Sequence, residues 1–256
     1  MDDGSTDDTA AVIEQFPDKR IQYVRQKRSG VSAARNHGIR LTRYPWIAFL
    51  DSDDQWQPSK LQRQLETLRN YPEFRVSYTN EIWIRNGRRV NQKKKHRKFH
   101  GWIYRHCLPL CLISPSSVLL YRNILDNEDG FDESFPVCED YELWLRITCR
   151  NPVFFLDESL IIKTGGHSDQ LSRSCWGLDR YRVRALEKSF RKAGLTPMQQ
   201  LWTAAEIVHK AGILAAGYRN RGKEAGAVEY QSLVEKWCAR IDKLLQKTPT
   251  QNQSCL

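Results

Sequence analysis

The sequence predicts an α/β fold, a mostly parallel sheet flanked by helices, with a helical appendage after it. Three observations carry this. Apolar strand-like runs alternate with helix-period stretches up to Asn70, the pattern of strands joined by covering helices. The run Trp46-Ile47-Ala48-Phe49-Leu50 ends abruptly in Asp51-Ser52-Asp53-Asp54, as a buried strand does where it leaves a sheet. After Gly165-Gly166 the strand signals stop, and three long helix-period stretches follow.

Taken in order, Ser5-Thr6-Asp7-Asp8 is a capping segment for a helix over Ala10 to Phe16, with Ser5 well suited to the cap. Ile21 to Val24 reads as a short strand, and Ser29-Gly30 opens a helix over Val31 to Leu41. Strand 46–50 and the acidic turn lead to a helix from Pro58 to Asn70, with proline in its favoured first turn and Asp54 as its cap. Val76 to Ile84 alternates as a strand does, and Asn86-Gly87 is a hairpin turn signal. Ser117 to Tyr121 and Val153 to Leu156 read as strands, with a helix over Glu139 to Cys149 between them. Helices are expected over Leu178 to Ala193, Met198 to Tyr218 and Glu224 to Leu245, with a polar tail from Lys247.

The 256 residues are enough for one domain with an appendage or for two small ones. No apolar run approaches the roughly 18 residues of a membrane span, and the acidic start Met1-Asp2-Asp3 lacks the marks of a signal peptide. The seven cysteines, at 107, 111, 138, 149, 175, 238 and 255, include no CxxC pair. Cys107 and Cys111 are spaced as neighbours on one helix face, and all seven are expected to be reduced thiols in a cytoplasmic protein. Much of the +10 net charge sits in Arg85 to Arg89 and in Lys93 to Lys98. A solvated loop face ranks first for these runs, and attraction to anionic lipid at the inner face of the membrane, or to a phosphorylated acceptor, ranks second. Nucleic acid ranks last and is not expected as a partner, because no basic module interleaved with aromatics is visible.

Open α/β sheets bind ligands outside the carboxyl ends of their strands, where the acidic turn falls. On an extended backbone Asp51 and Asp53 would project the same way, roughly 6.6 Å apart. Two hard oxygen ligands on one side suit Mg²⁺ or Mn²⁺ shared with a substrate phosphate. A plain turn with an aspartate helix cap fits the same residues.

Four segments line up: Asp2-Asp3-Gly4-Ser5-Thr6-Asp7, then Ser29 to Gly38 with its Ala34-Arg35-Asn36, then Asp51 to Pro58, then Glu139 to Arg146. In order and spacing they resemble the family 2 glycosyltransferases, enzymes of the Rossmann-like GT-A fold that use nucleotide sugars. The resemblance covers residues 1 to about 165. It implies a nucleotide-sugar-binding and catalytic domain over 1–165 and a helical extension over 166–256. Members of the family begin with a further strand and helix, so the fold is expected to begin upstream of Met1.

The resemblance assigns roles by position. Asp2 and Asp3 would meet the base and ribose of the nucleotide, since a carboxylate accepts an imide N–H or a ribose hydroxyl. Arg35 and Asn36 fall near the nucleotide, where Arg35 could pair with a phosphate or serve as a surface salt-bridge partner. Asp53 would bind the metal, with Asp51 reaching the ribose or the metal's water shell. Asp140 matches the general base, in the first turn of a helix whose dipole favours the carboxylate. His167 is a candidate late metal ligand, or a loop histidine with one backbone hydrogen bond. Gly130-Phe131-Asp132 would shape the acceptor pocket, with Ser116-Ser117 upstream of it. Trp56 and Trp144 could stack on sugar or serve the core.

The implied activity is a metal-dependent, inverting transfer of sugar from a nucleoside diphosphate donor, a UDP-sugar by preference, to a hydroxyl on a glycan or lipid-linked acceptor. A cell-surface polysaccharide pathway is the setting the resemblance suggests. The rival is an inactive, truncated remnant or binding protein. A metal-dependent phosphohydrolase would need more His and Asp ligands than the core offers.

Overall fold

The computed structural model describes residues 1–166 and 175–247. Helices α1 (Thr9–Glu14) and α2 (Val31–Leu41) precede strand β1 (Trp46–Ala48), the two-residue strand β2 (Gln55–Trp56) and helix α3 (Lys60–Asn70). Strands β3 (Val76–Arg85) and β4 (Arg88–Val90) form a hairpin. Helix α4 (Tyr104–Cys107), strand β5 (Leu119–Tyr121) and helix α5 (Arg122–Asp126) come next, then helix α6 (Glu139–Thr148) and strand β6 (Phe154–Gly165). Three long helices follow: α7 (Leu178–Lys192), α8 (Pro197–Arg219) and α9 (Glu224–Lys247).

The α/β class with helices on the sheet and a helical C-terminal part is as expected. The sheet itself is mixed rather than mostly parallel. Its order is β1-β5-β3-β6-β2, with β4 also on β3. Among the described named strands only β3 and β6 pair in parallel, and the other pairings are antiparallel. The parallel expectation came from the alternation before Asn70, and that stretch contributes little sheet. Ile21 to Val24 forms no strand, and the neighbouring Arg25 makes one isolated parallel bridge to Asp2.

Val76 to Thr79 are buried at every position, as a central strand covered on both faces requires. Strand β6 is three times as long as expected. The residues Asp157-Glu158-Ser159 break its apolar pattern, yet they form a bulge: Thr79 pairs with Leu156, and Asn80 pairs with Ser159. Asn80 steadies the bulge by donating from Nδ2 to Asp157 Oδ1 at 2.9 Å. The β3–β4 turn is the predicted one, with Asn86 at φ 49° and Gly87 at φ 72°.

One hydrophobic cluster runs from Ile47, Tyr78 and Leu120 in the sheet through Leu143 and Trp144 on α6. It continues to Val183, Leu186 and Ile207 on α7 and α8. The Tyr104 hydroxyl joins the two parts, 2.7 Å from Thr203 Oγ1 and 3.2 Å from Ser189 Oγ. Cys107 and Cys111 do not share a helix face, because α4 ends at Cys107 ahead of Pro109. The six described cysteines are free thiols. No helix among the described residues is long and apolar enough to cross a membrane.

Candidate active site

The acidic segment lies just beyond β1, where the apolar run leaves the sheet. Its backbone is not extended. The Asp54 N–H donates to the Asp51 carbonyl at 3.0 Å and closes a turn, so Asp51 and Asp53 do not project from one face of a strand. The Asp51 N–H donates to Ser116 Oγ at 3.0 Å, and Trp56 Nε1 donates to the Ser116 carbonyl at 2.8 Å. Ser116 thus holds the turn from beneath, and the Trp56 ring has Lys60 Nζ 4.4 Å from its centroid. Asp54 does not cap α3. Its Oδ1 accepts the Thr164 N–H at 3.1 Å and ties the turn to β6. Burial pushes the Asp54 carboxyl up to about 6, against the opposing pull of the Ser116 hydroxyl.

Arg35, on α2, joins two segments far apart in sequence. Its Nη2 meets Asp51 Oδ1 at 2.6 Å and its Nη1 meets Glu139 Oε1 at 2.8 Å. The guanidinium is buried over the Phe131 ring, 5.1 Å from its centroid, so Arg35 is no surface salt-bridge partner. Burial alone would lower its pKa, but Asp51 and Glu139 raise it. The Glu139 carboxyl is pushed up by burial and by the neighbouring Asp140 charge, with Arg35 opposing both.

Asn36 sits beside it with its amide committed to a loop. Its Nδ2 donates to the Phe131 carbonyl and to Glu133 Oε1, each at 2.9 Å, and its Oδ1 accepts the Phe131 N–H at 2.8 Å. The loop can approach so closely because Gly130 lacks a Cβ, which would stand 2.5 Å from Asn36 Oδ1. Asp132 pairs with Lys188 on α7 at 2.6 Å.

Asp2 and Asp3 organise the start of α2. Asp2 accepts from the Tyr23 hydroxyl and from the Ser5 N–H, and these bonds lower its carboxyl to about 2. Asp3 accepts from the Ser29 N–H at 2.8 Å and the Gly30 N–H at 2.7 Å, satisfying amides at the helix entrance. Ser5 makes no cap bond to α1, and Asp7 Oδ1 takes the Thr9 N–H at 3.1 Å instead.

Asp140 opens α6 just after Cys138, which adopts the left-handed conformation at φ 62°. Its Oδ1 accepts the Tyr141 N–H at 2.6 Å, and Cys111 Sγ donates to its Oδ2 at 3.3 Å. A cavity of about 290 Å³ opens here. Glu81, Lys98, Lys163 and Arg182 line it with Asp140. Glu81 accepts from Trp83 Nε1 at 2.6 Å, Ser114 Oγ at 2.7 Å and Lys98 Nζ at 3.0 Å. Burial alone would raise the Glu81 carboxyl, but Lys98 and Lys163 bring it down to about 2. Burial would likewise lower the Lys163 ammonium, and Glu81, Asp54 and Asp140 outweigh that and raise it.

The sequence reasoning missed Glu81, Lys163 and Arg182. An acid inside the apolar alternation of β3 and a lysine after Ile161-Ile162 were the available signals, and Arg182 had none. His167 lies outside the described residues. Trp144 is core, 1% exposed.

Asp51 and Asp53 offer hard carboxylate oxygens, and among the described residues no three His, Cys, Asp or Glu side chains cluster to hold a metal alone. That donor set fits Mg²⁺ or Mn²⁺, which are commonly held by one or two carboxylates plus phosphate and water oxygens.

Arg35 links the acidic turn to the first turn of α6, although neither Asp51 nor Asp53 lines the cavity at Asp140. Residues 1–120, a little under half of the chain, match the model of glycosyl transferase family 2. It is 32% identical over 167 residues to an uncharacterized glycosyltransferase of Rickettsia felis, an alignment covering 62% of this chain and 26% of that relative. It is 33% identical over 149 residues to the Escherichia coli UDP-Glc:alpha-D-GlcNAc-diphosphoundecaprenol beta-1,3-glucosyltransferase WfaP, covering 57% of this chain and 56% of that one. The chain therefore spans about a quarter to a little over half of these relatives. Among solved structures, S. aureus TarS superimposes with a TM-score of 0.62 at 17% identity, over 82% of this chain and 37% of that one. Mannosyltransferase PcManGT from Pyrobaculum calidifontis, solved with GDP-Man and Mn²⁺, gives 0.54 at 15% identity, over 96% and 77%. Both share the fold.

Proposed function

We propose that this chain is a metal-dependent, inverting glycosyltransferase that moves a sugar from a UDP-sugar to a hydroxyl of a lipid-linked or glycan acceptor. The observation that carries the proposal is Arg35, whose one guanidinium holds both Asp51 and Glu139. It keeps the acidic turn within a side chain's reach of the helix entrance that bears Asp140.

Asp140 is the general base. It takes the proton of the acceptor hydroxyl while that oxygen attacks the anomeric carbon and the bond to the diphosphate oxygen breaks. With one base and no enzyme nucleophile, the displacement is single and inverts the configuration. Asp51 and Asp53, with His167 as a further candidate, would hold a Mg²⁺ or Mn²⁺ that neutralises charge on the departing diphosphate. Asp2, Asp3, Arg35 and Asn36 serve the nucleotide side. Asp3 and Asn36 act there by fixing backbone, since their polar atoms are already engaged. The exposed Arg88, Arg89, Lys93, Lys94 and Lys95 give the hairpin side an affinity for an anionic cytoplasmic leaflet.

The test is transfer from UDP-sugars to lipid-linked GlcNAc in Mn²⁺, with the product's anomeric configuration read by NMR. Inverted product, with turnover lowered at least about a hundredfold in Asp140→Asn, is expected. Retained configuration would refute the single displacement.

A further inference from the structure

We propose that Arg182 and the apolar cavity behind it bind the diphosphate and the hydrocarbon chain of a lipid-linked acceptor. This rests on the transferase reading above and adds where the non-reacting part of the acceptor goes.

A second cavity, of about 330 Å³, lies between the start of α7 and the C-terminal half of α8. Trp176, Leu178, Ile213 and Leu214 give it an apolar lining. Arg182 lines this cavity and also the one that holds Asp140, so it is a wall common to both. A molecule whose hydroxyl reaches Asp140 and whose far end enters the apolar cavity would run along Arg182.

The charge at this passage is positive. Arg180, Arg221 and Lys223 lie over the Trp176 ring at 5.0, 5.3 and 5.5 Å from its centroid. The opposing acid is Asp179, which Arg182 holds at 2.9 Å and Lys210 at 3.3 Å, and Lys210 also meets Glu206 at 3.3 Å. Among the described residues the buried Arg182 Nε has no hydrogen-bond partner. A guanidinium lining both cavities beside further cations suits a diphosphate.

The apolar side is open as well. Trp176 is 44% exposed and Ile213 49%. Apolar surface in a concave site, rimmed by cations, calls for a ligand that is apolar at one end and anionic next to it. A second copy of the chain would bring the same cations face to face, which disfavours it as the occupant. A flat lipid surface would not fill a concavity, whereas a single hydrocarbon chain would.

The probe is farnesyl diphosphate, with inorganic diphosphate and farnesol as controls. Binding is measured by titration calorimetry on the full chain, with UDP and Mn²⁺ saturating the donor side. Farnesyl diphosphate is expected to bind at least about tenfold more tightly than either control. Arg182→Gln should weaken it by about tenfold or more. Ile213→Asp, at an exposed position that should not disturb folding, should reduce it to the level of inorganic diphosphate. Farnesyl diphosphate binding no tighter than inorganic diphosphate, or unchanged in both variants, would overturn the proposal. So would a dimer in gel filtration that Ile213→Asp dissociates. UDP binding is recorded in parallel: its loss, with the farnesyl diphosphate pattern intact, would strike the transferase reading and leave this site standing.

Discussion

Arg35 shows what a single residue does here that a motif alone does not convey. Its guanidinium has two ends, and each end takes a carboxylate from a different segment. A lysine would have to meet both carboxylates from one nitrogen, without the two separate arms of the guanidinium fork. Two other single residues carry predictions. Lys60 is fully buried, bonded to Gln64 Oε1 at 2.8 Å, and among the described residues it makes no salt bridge. Burial lowers its pKa from 10.5 to about 7. Between those values the unfolded chain binds the proton and the folded chain does not, so stability rises with pH across that window. Lys60→Met is expected to stabilise the protein by about 1 to 3 kcal/mol at pH 7, the relieved desolvation less the lost bond to Gln64. It should also flatten the rise in stability between pH 7 and 10, as read by urea unfolding. A destabilised variant would show that the ammonium is better accommodated than its surroundings imply. Gly130, at φ 68°, faces the second case: an alanine Cβ would collide with Asn36 Oδ1. Gly130→Ala is expected to cost about 2 kcal/mol or more, from left-handed strain plus displacement of Asn36, measured by the same unfolding assay.

At the scale of elements, what the sequence displayed depended on whether local pattern or distant pairing decided the outcome. Helix α2 and the Asn86-Gly87 turn were legible because periodicity and turn chemistry are local. Strand β6 was underestimated because a bulge at Asp157-Glu158 looks like a loop in one dimension. The sheet's mixed direction depends on β5 returning beside β3, which no local signal encodes. Asp140, Asp51 and Asp53 were visible as acids at element ends, whereas Glu81 and Lys163 matter only because β3 and β6 are neighbours. Helix α8 offers an element-level test. Thr196 Oγ1 accepts the Gln199 N–H at 3.3 Å and the Gln199 side chain returns to the Thr196 N–H at 2.9 Å, a reciprocal cap. Thr196→Ala should cost about 1 kcal/mol. Because Ile213, Leu214 and Gly217 lie toward the far end of the same helix, the second cavity should be unaffected, and farnesyl diphosphate titration checks that.

Across the whole molecule, one continuous core joins the sheet to α7 and α8, so the C-terminal helices share the core of the candidate catalytic half. Helix α6 lies between the sheet and the C-terminal helices in that core. Its inner residues Leu143 and Trp144 are core, and its first turn presents Asp140 to the cavity. Under the proposed function, the two acidic segments that Arg35 holds together divide the labour: the turn at 51–54 serves the donor, and Asp140 takes the acceptor's proton. The most direct measurement is UDP binding with and without Mn²⁺ in the unaltered protein, in Asp53→Ala and in Asp140→Asn. The division predicts that Mn²⁺-dependent affinity falls by about tenfold or more in Asp53→Ala and stays within about twofold in Asp140→Asn. Equal losses in the two variants would contradict it.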